Sequence, residues 1–149
     1  MLKRKGFLMT LAFTVVLLAA TGCGPINIVP DTGPEDTPAL AGTEWALARI
    51  NNQEPLPGAE VTLSFEETTA GGISGCNSYG GDYTAGTDGS LSFGEIVQTL
   101  VLCMEPEGVM ELEEEYINTL RLADSYQVVD GRLQITDQAG NSILEYERQ

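Results

Sequence analysis

The sequence predicts an α+β domain in which a curled antiparallel β-sheet of about eight short strands forms a small barrel-like structure with one packed α-helix. From position 40 onward, apolar and polar residues mostly alternate, which is the pattern of half-buried strands. Turn sequences such as G-T-D-G at 86–89 and Asp130-Gly131 separate these segments at short intervals. One stretch, near 105–121, changes to helical spacing. The length of 149 residues leaves room for one such domain with short appendages.

The predicted strands follow one another at short intervals along the chain. The first begins near Thr43 and places Trp45 and Leu47 on one face. A loop sequence, N-N-Q-E-P-L-P-G, separates it from a second strand whose alternating apolar residues are Val61, Leu63 and Phe65. The other six strands are predicted at 73–77, 81–85, 91–93, 126–129, 132–136 and 142–146. Short strands at this spacing are typical of an antiparallel sheet that curls or closes.

The helix is predicted from apolar residues that recur at three- and four-residue spacing: Val109, Leu112, Tyr116, Ile117 and Leu120. Pro106 suits its first turn, and Arg121 lies near its other end, where a positive charge is favourable. An acidic run is expected on its outer side, formed by Glu111, Glu113, Glu114 and Glu115. Such a run is typical of a solvated helix face, and binding of a cation or of a basic partner is the alternative.

The sequence contains no histidine, which excludes several kinds of site. A Ser-His-Asp triad, a Cys-His dyad and a His-ligated zinc site all need this residue. The formal charge of −15, from seven Lys and Arg against 22 Asp and Glu, argues against nucleic acid as a partner. Phosphate binding needs clustered basic side chains. The sequence carries neither an EF-hand loop nor a lysine-containing phosphate-binding loop, so we predict no catalytic residue, no metal and no cofactor.

The first residues have the order of an export signal. Lys3, Arg4 and Lys5 precede a mostly apolar run at 7–20, which is short for a membrane span and suits the h-region of a signal peptide. The small residues of A-T-G at 20–22 stand directly before Cys23, an arrangement that resembles a bacterial lipobox. We therefore predict a lipoprotein signal peptide at 1–22 and lipidation of Cys23. The alternative is an ordinary secretory signal with Cys23 near the cleavage site by chance.

Residues 23–39 are predicted to be the lipidated cysteine followed by a tether rich in proline and glycine, and 40–149 the folded domain. Ile26, Ile28 and Val29 could instead dock on the domain. After cleavage the chain keeps four arginines and no lysine against all 22 acidic residues, so an anionic lipid surface would repel it. Contact with the membrane is therefore expected through the acylated Cys23. The expected location is the outer membrane facing the periplasm, or the outer face of the cytoplasmic membrane in a one-membrane cell.

Two cysteines remain in the folded domain, Cys76 and Cys103. An exported chain meets a non-reducing environment, and an even number of cysteines left after lipidation favours a disulfide. Two buried free thiols are the first alternative. A catalytic thiol is the second, and it would need a base other than histidine.

Three segments of the chain resemble, in order, the META domain, or HslJ-like, family. They are L-A-G-T-E-W-A-L, G-G-I-S-G-C-N-S-Y-G-G-D-Y and L-S-F-G-E-I-V-Q-T-L-V-L-C, followed by the helix that ends E-E-E-Y-I-N-T-L. The resemblance covers residues 40 to about 148, and the one departure we note is Val101, where the family often has methionine. It implies a single α+β domain, a cell-envelope setting that is often that of a lipoprotein, and in some members an association with heat shock or antibiotic tolerance. It implies no known catalytic reaction.

The most specific part of the match has two interpretations; its residues are Gly75, Cys76, Asn77, Tyr79, Gly81 and Tyr83. In the structural one, glycines permit close backbone approach, the asparagine bonds neighbouring backbone and the cysteine forms a staple. In the functional one, Gly75, Asn77, Tyr79, Gly81 and Tyr83 form a binding face.

Three classes of function are compatible with these features. The first is a non-enzymatic envelope lipoprotein that binds another envelope protein or supports the envelope under stress. The second is a binding module for a small apolar or cationic ligand held in the curled sheet. The third is a hydrolase that uses carboxylates alone. Asp82 and Asp88, which flank a turn, could form such a pair, but turn aspartates are far commoner than catalytic ones, so we do not assign them this role.

Overall fold

A computed structural model of the protein describes residues 39–149. The predicted signal peptide at 1–22, the predicted lipidation site Cys23 and the tether up to 38 lie outside the described residues. Within this part, the elements in chain order are β1 Thr43–Ile50, β2 Glu60–Phe65, β3 Thr69–Gly75, β4 Ser78–Ala85, β5 Leu91–Phe93, β6 Val97–Gln98, α1 Val109–Leu120, β7 Ser125–Val129, β8 Arg132–Thr136 and β9 Ser142–Arg148.

Eight of the strands form one antiparallel sheet in the order β5-β4-β3-β2-β1-β9-β8-β7. The two ends of this sheet meet, because the Leu91 amide donates to the Asp124 carbonyl at 2.9 Å and the Tyr126 amide donates to the Gly89 carbonyl at 2.7 Å. The sheet is therefore a nearly closed barrel, which confirms the predicted fold class. The ninth strand, β6, pairs with β4 outside this order. At two residues it is too short to show a period, so the sequence did not predict it.

The interior of the barrel is filled by the apolar faces of the strands. Trp45, Leu63 and Phe65 are fully buried, as their alternation predicted, and the Trp45 indole N–H donates to the Thr43 hydroxyl at 2.7 Å. The other large side chains that are fully buried include Leu91, Leu133, Ile135, Leu144 and Tyr146. Each such side chain contributes about 1.5–3 kcal/mol of transfer free energy. The described interior is therefore a packed core in which side chains occupy the space that a ligand would need.

The helix α1 packs against β3 and β9 and buries the five apolar residues whose spacing predicted it. It begins at Val109, with Gly108 in the left-handed region at φ 91°, so Pro106 lies ahead of the helix and not in its first turn. Arg121 follows the last helical residue.

The turn between β3 and β4 differs from the prediction. We predicted a strand at 73–77, but β3 ends at Gly75, and Cys76 and Asn77 form the turn before Ser78. Gly75, the last residue of β3, has a φ of 111°, a conformation that favours glycine and ends the extended run of the strand. The polar bonds of Asn77, described next, fix the chain in this turn.

Candidate functional site

Asn77 is the centre of the family motif and is buried, with 2% of its surface exposed. Its side-chain nitrogen donates to the Val101 carbonyl at 3.0 Å and to Glu113 Oε1 at 2.8 Å. Its side-chain oxygen accepts from the Thr99 hydroxyl and the Val101 amide, both at 2.7 Å. An asparagine amide has two donors and accepts two bonds, so all four positions are used within the protein.

Glu113 is the partner of Asn77 on α1. Its carboxylate accepts hydrogen bonds from the Ser74 hydroxyl, the Asn77 backbone N–H and the Asn77 side-chain nitrogen, each at 2.8 Å. The prediction that Glu113 belongs to the outer acidic run is wrong, because only 7% of it is exposed, whereas Glu111 and Glu114 are exposed. Helical spacing contained the signal: Glu113 lies four residues after Val109 and three before Tyr116, on the face that packs against the sheet. We call Ser74, Asn77, Thr99, Val101 and Glu113 the polar junction.

Cys76 and Cys103 form the predicted disulfide, with Cα atoms 5.9 Å apart and a sequence separation of 27 positions. It joins the turn after β3 to the segment that follows β6. Closure of a loop of this length stabilises a fold by about 3–4 kcal/mol in the chain-entropy model. The disulfide and the polar junction therefore attach residues 99–103 to the barrel from two adjacent points.

The two motif glycines are required by close approach. A Cβ on Gly75 would lie 3.2 Å from Val109 Cγ2, at the start of α1, and the φ of 111° is itself unfavourable for other residues. A Cβ on Gly81 would overlap the Glu95 carbonyl oxygen. Gly75 thus lets the helix reach the sheet, and Gly81 lets the chain before β6 lie against β4.

Three buried tyrosines connect the sheet to the helix. The Tyr79 hydroxyl donates to the Thr62 carbonyl at 2.8 Å and is 2.6 Å from the Tyr116 hydroxyl, which is 3.0 Å from that of Tyr146. Because a phenol has one proton to donate, Tyr116 donates to Tyr79 and Tyr146 donates to Tyr116. Burial raises the pKa of all three phenols well above the ordinary value, so they stay protonated in the folded protein.

The predicted binding face is not an exposed surface. Asn77 and Tyr79 are buried and bonded to the protein itself. Tyr83 is half-buried: its ring packs edge-on against Phe65, with centroids 4.9 Å apart, and its hydroxyl donates to the Glu66 carbonyl at 2.8 Å. The polar groups of Asn77, Tyr79 and Tyr83 are therefore bonded within the protein, which is the arrangement that the structural interpretation describes.

The structure exposes a set of apolar residues beside the motif, which the sequence did not predict. Of the seven large apolar side chains exposed in residues 39–149, five lie between 97 and 104, with exposures from 58% to 98%. We call them the apolar ridge: Val97, Leu100, Val101, Leu102 and Met104. In sequence, V-Q-T-L-V-L-C-M looks like a buried apolar run. The attachment of Val101 to Asn77 and of Cys103 to Cys76 instead keeps these side chains on the outside of the barrel.

The carboxylates that we considered for hydrolysis have local roles or lie exposed. Asp88 accepts from the Ser90 hydroxyl at 2.7 Å and from the Ser90 amide at 3.0 Å, and these bonds lower the pKa of its carboxyl. Asp88 is therefore a turn residue. Asp82, on β4, is exposed. Within 39–149, acidic and cysteine side chains do not gather in threes with the geometry of a metal site.

In the part of the chain that the structure describes, the helix α1 is too short and too polar to span a bilayer.

Comparison with known proteins gives one family match and several structural relatives. A protein from Burkholderia xenovorans, solved by NMR, is 28% identical, with 74% of this chain and 83% of that chain covered and a TM-score of 0.61. A DUF4847 family protein from Bacteroides vulgatus ATCC 8482, solved by crystallography, is similar in fold alone, with 16% identity, a TM-score of 0.53 and coverage of 72% and 93%. The comparison with curated proteins gives no match. The META domain matches residues 38–149, which is most of the chain, and the protein therefore belongs to the META domain family.

Proposed function

We propose that this protein is a non-enzymatic protein-binding module of the cell envelope, held there by a lipid on Cys23. The observation that carries the protein-binding part is the apolar ridge. Contiguous exposed apolar residues on a soluble domain are a feature of interaction sites, because each one left in water forgoes the free energy of burial. Here five of them stand together on a domain whose other exposed large apolar residues, Leu122 and Val129, are isolated in sequence.

The ridge is also held in a fixed position, which favours binding. Asn77 bonds the amide and the carbonyl of Val101, and the disulfide attaches Cys103. A segment that is already fixed loses less conformational entropy when a partner covers it. The polar junction and the disulfide thus support a role for the segment in recognition.

The sequence supports the envelope part of the proposal. The basic cluster, the apolar run and the small residues before Cys23 have the order of a lipoprotein signal, and the chain after them contains proline and glycine suited to a tether. A lipid anchor would keep an acidic domain near a membrane surface that its charge alone would not approach.

The two other classes of function receive less support. A ligand in the curled sheet would compete with Trp45, Leu63 and Phe65, which fill the described interior. A carboxylate hydrolase would need a pair of free acidic groups, whereas Asp88 is committed to its turn.

Photo-crosslinking in intact cells tests the proposal. A photoreactive residue replaces Leu102 in the full-length, lipidated protein, and a matched variant carries it in place of Leu122, which is also exposed but lies outside the ridge. We expect a specific protein adduct from position 102, none from position 122, and loss of the adduct when Cys23→Ser removes the anchor. If neither position gives an adduct in cells under normal growth or envelope stress, the protein-binding function is wrong.

A further inference from the structure

We infer that the apolar ridge and the groove beside it bind a cationic amphipathic segment of a partner protein, in which apolar side chains are interspersed with lysine or arginine. This inference rests on the proposed function and names the chemistry of the partner for the same surface. It combines three observations: the exposure of the ridge, a groove next to it, and the charge around both.

The apolar contacts would come mainly from the three most exposed residues of the ridge. Leu100, Leu102 and Met104 are the most exposed of the five, at 98%, 74% and 76%, while the intervening Cys103 is bonded to the barrel. Val97 and Val101 are also more than half exposed. The ridge therefore presents an apolar surface to a partner whose own apolar residues can cover it.

A groove of about 300 Å³ lies between β6 and α1, and Glu113 in its lining is connected through Asn77 to Val101 of the ridge. Gln98 lines it on the strand side, and Met110 and Ile117 line it from the helix. The groove gives a partner side chain a place to enter, which a flat apolar patch would not. Pockets of this kind hold the central contacts of protein interfaces.

The rim is acidic. Glu95 precedes β6, Glu105 and Glu107 follow Met104, and all three are exposed. On the helix side, Glu114 lines the groove itself and Glu111 is exposed one turn earlier. Arg121 is the basic residue in the lining of the groove. A partner that covers the ridge would place the side chains at the edge of its contact surface against these carboxylates. Lysine or arginine at that edge would be attracted, and acidic residues would be repelled.

The same charge argues against two other occupants. In a symmetric dimer through the ridge, the carboxylates of one copy would face those of the other. An anionic lipid surface would meet Glu105 and Glu107 directly beside the apolar residues and would be repelled. A cationic protein segment satisfies the apolar and the acidic parts of the surface together.

Direct binding to designed peptides tests this inference. The protein is the full mature chain with Cys23→Ser, so that no detergent is needed, and the probe is a labelled peptide of alternating leucine and lysine. Two control peptides have leucine replaced by serine or lysine replaced by glutamate. We expect binding of the leucine-lysine peptide only, with an affinity that falls as salt is added.

Variants of the protein locate the binding site. Leu100→Ser/Leu102→Ser should weaken binding of the leucine-lysine peptide by about tenfold or more, because central apolar contacts dominate interfaces. Glu105→Gln/Glu107→Gln should weaken binding less and reduce its salt dependence. The matched control Leu122→Ser/Val129→Ser removes two exposed apolar residues from outside the ridge and should bind as the unchanged protein does. Circular dichroism and thermal midpoints check that each variant is folded.

Several outcomes would overturn the inference. They are absence of binding, equal binding of the leucine-glutamate peptide, equal binding by the Leu100→Ser/Leu102→Ser variant, and binding to phosphatidylglycerol vesicles in place of the peptide. If the peptide fails while a residue at position 102 still crosslinks to a protein in cells, the proposed function stands and only the chemistry assigned to the partner is wrong. If crosslinking fails as well, both are wrong.

Discussion

The polar junction and the apolar ridge are neighbours that invert the usual distribution of side chains. The junction buries a carboxylate and an amide, Glu113 and Asn77, while the ridge a few residues away exposes leucines. The inversion is understandable because the first supports the second: Asn77 bonds both the Thr99 hydroxyl and the backbone of Val101. The family motif around Asn77 therefore supports the neighbouring segment. The candidate interaction surface is the apolar ridge, which that motif holds in place.

The largest effect on stability that we expect comes from alkaline pH, and it concerns the three buried tyrosines that connect the sheet to the helix. The pKa values of Tyr79, Tyr116 and Tyr146 are raised in the folded state, whereas in the unfolded chain they return to about 10. The unfolded state then binds fewer protons above pH 10, so the free energy of unfolding decreases as pH rises, by about 1.4 kcal/mol per pH unit for each tyrosine. Below pH 10 the contribution is fully present.

Denaturant unfolding from neutral pH to about pH 11, with phenolate absorbance recorded in parallel, checks this. Tyr146→Phe should remove the contribution of that phenol to the slope, about 1.4 kcal/mol per pH unit. Tyr83→Phe, which removes a half-buried phenol, should reduce it less. Ordinary titration of all tyrosines in the folded protein would contradict the prediction.

Removal of the disulfide is expected to weaken both regions. Cys76→Ser/Cys103→Ser should lower the free energy of unfolding by about 3–4 kcal/mol, because the unfolded chain regains the freedom of a closed loop. Hydrogen exchange of the amides at 99–104 should accelerate more than exchange in β1 or β9, since Cys103 is one of the attachments of the ridge. Comparison of oxidised and reduced unchanged protein is the control, and equal exchange in the two would mean that the polar junction alone holds the ridge.

The sequence predicted the elements that have a clear period and missed those that depend on contacts between distant residues. The strand with Val61, Leu63 and Phe65, the helix and the disulfide were all predicted. The exposure of Leu100 and Leu102 was not predicted, because an apolar run in a sequence does not show whether its side chains face the core or the solvent. Glu113 was placed on the wrong face of the helix because the run of glutamates obscured its spacing from Val109 and Tyr116. The role of Asn77 depends on hydrogen bonds to residues 22 to 36 positions away in sequence.

Adjacent glutamates on α1 allow a closely matched test of the polar junction. In Glu113→Gln, an amide N–H₂ replaces one oxygen that now accepts from Asn77 or Ser74, so a donor faces a donor. We expect a loss of about 2 kcal/mol in the free energy of unfolding. Glu114→Gln makes the same chemical change at the next position, where the side chain is exposed, and should change stability by less than about 0.5 kcal/mol. Similar values for the two variants would show that the buried carboxylate does not support the turn.

The smallest effect on stability is expected at the ridge, and it separates a surface kept for binding from one that packs within the protein. Leu100→Ser/Leu102→Ser should change the free energy of unfolding by less than about 0.5 kcal/mol, because both side chains are already in water. Leu63→Ala, in the filled interior, should cost about 2–5 kcal/mol in the same denaturant titration. A loss of more than about 1 kcal/mol for the ridge variant would mean that its leucines are covered within the protein itself. The apolar ridge, to which we assign binding of a partner, would then be part of the packed fold.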